Sequence, residues 1–284
     1  MNVEQLRVES FVAAATSGRC ERARRLLEAH PEIASDRWAR LVLGRGWDGD
    51  ASAPGGPNGW APLLYVAHSC WASVELAREL LAAGADPNAT FTNEYGAMSA
   101  LYGAAGVVHD AQLTRMLLEH GADPDDGESL YHATESPAAD CLRALLEHGA
   151  SPACTNALAH AIDGDRMEQV RLLLEAGADP NEGRSALLVH AVRRGCSAQM
   201  LRLLADHGAD LERRGGEWAT PAEEYRTAYQ NAVMRGRDDL VALLTELGAD
   251  TTVAAEDRAV AAIARGARPE GELPPSCPPT GRRP

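Results

Sequence analysis

The sequence predicts an all-α solenoid of about seven helix–turn–helix repeats, and three observations carry that prediction. A Gly-Ala-Asp/Ser phrase recurs six times, an apolar stripe at helical spacing precedes every copy, and a second, shorter helical segment lies upstream of every stripe. Self-similarity at a spacing of roughly 20–50 residues marks a chain whose units bury their apolar sides only by stacking on one another.

The phrase reads Gly84-Ala85-Asp86-Pro87-Asn88, Gly121-Ala122-Asp123-Pro124-Asp125, Gly149-Ala150-Ser151-Pro152, Gly177-Ala178-Asp179-Pro180-Asn181, Gly208-Ala209-Asp210 and Gly248-Ala249-Asp250. Its glycines stand 37, 28, 28, 31 and 40 residues apart. Leu80, Leu117, Leu145, Leu173, Leu204 and Leu244 lie four residues before them, and Leu76, Leu113, Leu142, Val170, Leu201 and Val241 about one turn earlier. This is the stripe of an amphipathic helix buried along one side. Each glycine can take the left-handed conformation that ends such a helix, and the Pro and Asn that follow favour a turn. Arg24, Arg78, Arg115, Arg143, Arg171 and Arg202 share one helical position, and all but Arg78 have an acid four residues later, as expected of a solvated outer face. The upstream helices are expected at 5–16, 62–69, 98–105, 129–135, 155–162, 186–194 and 222–235.

The unit ending in LL-x-x-GADPN resembles the ankyrin repeat over roughly residues 4–265, with Ala61-Pro62-Leu63-Leu64-Tyr65-Val66-Ala67 approaching that family's T-P-L-H-x-A motif. The chain also resembles a group of ankyrin-repeat proteins common in GC-rich bacterial genomes, which fits its use of arginine for all 27 basic residues. The resemblance implies an ankyrin-repeat solenoid whose helices border a concave groove and whose β-turn fingers project beside it. Against the family's length of about 33 residues, the 28-residue spacings imply truncated middle fingers. Insertions near 37–60, 87–97 and 211–221 imply long fingers towards both ends, which would close the groove into a cup. The array is expected to span 1–266, with a disordered Pro-rich tail over 267–284.

The insertions concentrate the scarce aromatic residues: Trp38, Trp47, Trp60, Phe91, Tyr95 and Trp218. These either anchor a partner or fold back to seal their own loops. Trp47, Trp60, Tyr65, Tyr95, Tyr131, Arg193 and Trp218 are the candidate binding residues. His132, His160 and His190 stand in register in three successive upstream helices, with Glu135, Asp163 and Arg193 three residues further on. A His–carboxylate contact is therefore within reach for the first two. Such histidines either stitch neighbouring repeats together or, in an enzyme, make His132, His160, His190, Asp163 and Glu135 the acid–base set.

Several chemistries are excluded. No lysine exists to form a Schiff base or serve a phosphate loop, and a net charge of −14 disfavours nucleic acid. Asp48-Gly49-Asp50 opens like a calcium loop but has Ala53 and Gly59 where Gly and Glu are required. Packed helices about 8–10 Å apart cannot bring three column histidines onto one zinc ion. No nucleophile elbow or dinucleotide fingerprint is present, so no cofactor and no metal are expected. The six cysteines lack a C-x-x-C pair and are expected as small buried thiols rather than a disulfide framework. With neither a signal-like start nor an apolar run of membrane-spanning length, the sequence points to a cytoplasmic protein with no membrane contact. The function expected is a module binding a protein or peptide partner through the concave face and fingers. The alternative is a small-molecule site or acid–base enzyme, such as an isomerase, cyclase or lyase, in the same face, with non-enzymatic binding favoured.

Overall fold

The computed structural model describes residues 3–182, 186–215 and 225–266. Trp218, part of the third insertion and the 267–284 tail lie outside the described residues. The chain divides into two compact units, Met1–Ala178 and Asp179–Pro284.

The first unit opens with α1 (Val3–Ala15) and α2 (Cys20–Ala29), followed by a 3-10 turn (Pro31–Ser35) and α3 (Arg37–Val42). Next come α4 (Pro62–Ala67) and α5 (Val74–Ala82), then an antiparallel hairpin of β1 (Thr90–Asn93) and β2 (Gly96–Ser99). α6 (Ala100–Tyr102) continues as a π turn (Gly103–Val107) and pairs with α7 (Ala111–Glu119). α8 (Ser129–Ala133) pairs with α9 (Asp140–Glu147), and α10 (Ala157–Asp163) with α11 (Met167–Glu175). In the second unit α12 (Leu187–Arg194) pairs with α13 (Ala198–Asp206), α14 (Ala228–Met234) with α15 (Asp238–Glu246), and α16 (Ala255–Ala264) packs on α14. Among the described residues no helix is long and apolar enough to cross a membrane.

Each pair forms for the reason the stripe implies. Leu113 and Leu117 of α7, Leu142 and Leu145 of α9, and Val170 and Leu173 of α11 are fully buried. The glycine after each longer helix has φ between +87° and +95°, at Gly84, Gly121, Gly149, Gly177, Gly208 and Gly248. This is the left-handed turn that an L side chain adopts only at a cost. After α7, α9 and α13, the preceding residues His120, His148 and His207 turn Nδ1 onto the carbonyl four residues back, at 2.7–2.9 Å. That contact adds a second donor to a helix-end carbonyl that already accepts the histidine's own amide.

The phrases also tie neighbouring repeats together. The Asn88 side-chain amide donates to the Gly121 carbonyl at 2.9 Å, and its Oδ1 accepts from the Asp123 amide at 2.8 Å. Asp125 accepts from the Ser151 amide at 2.7 Å. Within the second unit Asn181 bonds Gly208 and Asp210 in the same double manner, and Glu212 accepts from the Asp250 amide at 2.7 Å.

Four features differ from the sequence-based expectation. The first insertion holds a helix, α3, because the Asp36 carboxylate accepts from the Trp38 and Ala39 amides at 2.8 and 3.0 Å and Ala39, Leu41 and Val42 are buried. The helix expected from 222 is α14, beginning at Ala228, where Thr227 and Gln230 form a reciprocal capping box. The aligned arginines also pair differently. Arg24 meets Glu21, and Arg171 meets Glu168 at 3.7 Å, each acid lying on the N-terminal side, which is the order the helix dipole favours. Arg143 reaches Glu168 on the neighbouring α11 at 2.9 Å, and Arg202 reaches Glu246 on α15 at 2.9 Å.

The fourth difference is covalent. Cys20 and Cys70, expected as thiols, form a disulfide with Cα atoms 5.6 Å apart. Stacking places the first residue of α2 beside the loop after α4, within the distance a disulfide spans, although 50 residues separate the two in sequence. Cys141 does match the expected buried thiol. Burial raises its pKa, against a partial opposing effect of the Thr114 hydroxyl, whose oxygen lies 3.7 Å from the sulfur.

Candidate binding site

Ten rings of the first unit form one continuous series, from which the Phe11–Trp71 pair stands apart. Trp47 contacts Trp38 with ring centroids 4.7 Å apart, Trp38 contacts Tyr65 at 5.1 Å, and Tyr65 contacts Trp60 at 5.4 Å. Trp60 stacks on Phe91 at 4.0 Å, both rings touch His68 at 5.3 Å, and His68 lies 5.8 Å from Tyr102. Tyr102 meets His132 edge-on at 5.0 Å, His132 meets Tyr131 at 4.9 Å, and Tyr131 stacks on His160 at 4.2 Å. The series runs over the upstream helices α4, α6, α8 and α10, as expected when one residue position recurs in stacked repeats.

At the N-terminal end of this series the rings seal their own loop. Trp47 donates from Nε1 to the Asp50 carbonyl at 3.2 Å, and the Arg37 guanidinium covers it at 4.4 Å while pairing with Asp48 at 3.4 Å. Tyr65 is fully buried, which removes it from any direct contact with a partner. Its hydroxyl donates to the Gly55 carbonyl and accepts from the Asn58 amide, both at 2.8 Å, so it works as a strut for the insertion. Trp60 is half-buried against Phe91, whereas Tyr95 at the hairpin tip is 79% exposed.

His68 sits at the turning point. It is 1% exposed, its Nδ1 donates to the Leu64 carbonyl at 2.9 Å, and its Nε2 has no hydrogen-bond partner among the described residues. Burial lowers its pKa from 6.5 to about 4, partly opposed by the Leu64 carbonyl, so the ring is neutral at pH 7. Gly103 makes room for it, since a Cβ there would collide with the imidazole.

The C-terminal end is open and polar. His132 is wedged between two carboxylates, with Nδ1 2.9 Å from Glu135 and Nε2 3.3 Å from Glu128. The side chains of His132, Glu128 and Glu135 are 25%, 33% and 42% exposed. Tyr102 and Tyr131 are half-buried beside them. Burial raises the pKa of both phenols, and nearby carboxylates add to it: Glu135 then Glu128 at Tyr102, and Glu135, Asp163 and Glu128 at Tyr131. Both therefore remain protonated donors at neutral pH. The Thr134 hydroxyl donates to the Tyr131 carbonyl at 2.7 Å and its oxygen lies 2.8 Å from His160 Nδ1.

The sequence-derived set is thus distributed unevenly. His132, Glu135, Tyr131 and His160 come together, with Asp163 close enough to act on Tyr131. His190 and Arg193 lie on α12 in the second unit, where His190 is 8% exposed, and Trp218 is outside the described residues. Tyr102 and Glu128 were not anticipated, yet both leave a trace. Leu101-Tyr102-Gly103-Ala104 repeats the register of Leu130-Tyr131-His132-Ala133, and Glu128 precedes His132 by four residues, one helical turn. Among the described residues no group of three or more His, Cys, Asp or Glu is placed to hold a metal ion.

Comparison with known proteins agrees with this architecture. A family model described as ankyrin repeats in three copies matches residues 157–255, and a single ankyrin-repeat model matches residues 58–90. The ankyrin repeat domain of human ASB11 is similar over 62% of this chain and 80% of its own, at 23% identity and a TM-score of 0.50. The ankyrin repeat domain of Bcl-3, described as a unique member of the IkappaB protein family, covers 66% and 86% at 26% identity and a TM-score of 0.53. EF0377, an ankyrin repeat protein, covers 65% and 96% at 23% identity and a TM-score of 0.53. No curated protein matches the sequence. Residues 58–90 and 157–255 are ankyrin repeats, and the fold of the chain is the all-α ankyrin-repeat solenoid.

Proposed function

We propose that the chain is a binding module, which engages a protein or peptide partner through the open end of its aromatic series. One observation carries this function: Tyr102, Tyr131 and His132 are half-exposed, adjoining rings edged by Glu128 and Glu135, on a packed helical support. Aromatic groups that offer large area at small entropic cost are the usual anchors of recognition surfaces. Ankyrin repeats in general are protein-interaction modules, which supports the same function at the level of the fold. The test is capture of partners by the immobilised protein from extract of the source cells. Tyr102→Ala combined with Tyr131→Ala is expected to abolish capture, whereas Trp47→Ala, which opens only its own loop, retains it. Undiminished capture by the double tyrosine variant would refute the proposal.

The 2.9 Å His132–Glu135 contact favours a second function, acid–base catalysis on a small molecule. An enzyme would lose turnover in His132→Ala and Glu135→Gln while keeping its fold. As for location, we propose an oxidising compartment over the cytoplasm, because the Cys20–Cys70 disulfide persists where thiols are not kept reduced.

A further inference from the structure

His132 lies between two carboxylates, with one ring nitrogen facing each. An imidazole offers each of them at most one N–H, whereas a carboxylate has about four acceptor sites. Among the described residues neither carboxylate meets an arginine. Arg166, which reaches the neighbourhood, is directed to the main-chain carbonyl of Glu135 at 3.5 Å. The site therefore holds two partly exposed carboxylates with unused acceptor capacity, flanked by two phenol rings whose centroids lie 5.0 and 4.9 Å from that of the imidazole.

Resting on the binding function proposed above, we infer that the strip of Tyr102, Glu128, Tyr131, His132 and Glu135 takes an arginine side chain from an extended, basic segment of the partner. A guanidinium is planar and offers five donors in a fixed fork, so it can bond a carboxylate edge-on while its face lies on a tyrosine ring. An ammonium offers neither the plane nor the fork. A charge of −14 with no lysine among its residues gives the whole chain a field that draws basic segments towards it and repels acidic ones. A phenol and a carboxylate side by side also make a poor site for an acidic peptide, which would face like charge without a compensating cation.

The inference is tested with the full chain and a displayed library of random linear peptides. Enrichment of arginine-containing sequences is expected. A selected peptide remade with citrulline in place of the critical arginine, neutral but nearly isosteric, should bind at least about tenfold more weakly. The variant combining Glu128→Gln with Glu135→Gln should lose a similar factor for the arginine peptide and leave the citrulline peptide unaffected. Selected sequences without arginine, equal affinity for the citrulline peptide, or full affinity with lysine in place of arginine would each overturn the arginine assignment and leave the binding function standing. Failure of any peptide to be enriched, together with failure of partner capture, would overturn both.

Discussion

At the scale of single residues, His68 shows how burial turns a titratable group into a pH-dependent contribution to stability. Its folded pKa, about 4, lies below the ordinary 6.5, so between those values the unfolded chain binds more protons than the folded one. The stability associated with neutral His68 is complete above pH 6.5, declines as the pH falls, and is lost once it has passed below about 4. The span corresponds to about 3 kcal/mol at most. Denaturant titrations at pH 7.5 and 4.5 are expected to show that His68→Leu loses less stability on acidification than the unsubstituted protein. Equal losses would contradict the buried, neutral imidazole. Neither His68 nor Tyr65 was legible as an interior group, since a histidine or tyrosine in a short helix reads the same whether a loop covers it or not. The covering groups, Trp60 and Phe91, come from insertions whose path has no local sequence code. The His132–Glu135 contact was legible because spacing within one helix fixes it. The contribution of Tyr102 required aligning two repeats rather than reading one.

At the scale of elements, the longer helices and their glycine ends were written directly into the periodic leucines, whereas pairing between distant segments was not. The Cys20–Cys70 link is the clearest case, because nothing near either cysteine announces the other. Closing a loop over a separation of 50 residues removes conformational freedom from the unfolded chain, worth about 4 kcal/mol in the chain-entropy account. Urea unfolding followed by tryptophan fluorescence is expected to shift to lower denaturant when a thiol reductant is added. Cys20→Ser should start at that lower midpoint and show no response to reductant. An unshifted midpoint in the unsubstituted protein would count against the bond. The stitches from Asn88, Asp125, Asn181 and Glu212 have an intermediate status. Their residue type is visible in the recurring phrase, but their partners become evident only when consecutive phrases are set side by side.

At the scale of the whole molecule, the fold class followed from repetition alone, because a stack of similar units needs only a stripe, a turn and a neighbour. The last described helix, α16, shows how a further element adds to that stack. Ala261 of α16 is buried with Val233 and Val253, against Tyr229 and Val241. Its Asp257, 5% exposed, accepts from Arg226 at 2.8 and 3.0 Å and raises the arginine pKa. Truncation after Gly266 is expected to leave the thermal midpoint within about 1 °C of the full chain, since α16 and its contacts remain. Truncation after Ala254 should destabilise the second unit by about 3 kcal/mol or more, through exposure of Val233 and the loss of a nearly buried ion pair. Calorimetry of the three lengths checks both expectations, and a midpoint unchanged by truncation after Ala254 would deny α16 that stabilising role.

The disulfide also bears on the order of events during synthesis. Cys20 and Cys70 both precede the helices from α6 onward, so they leave the ribosome before those helices are made. An oxidant that meets the nascent segment can rivet the α1–α2 hairpin to the α4–α5 hairpin before α6 and α7 exist, giving that next pair a finished surface on which to settle.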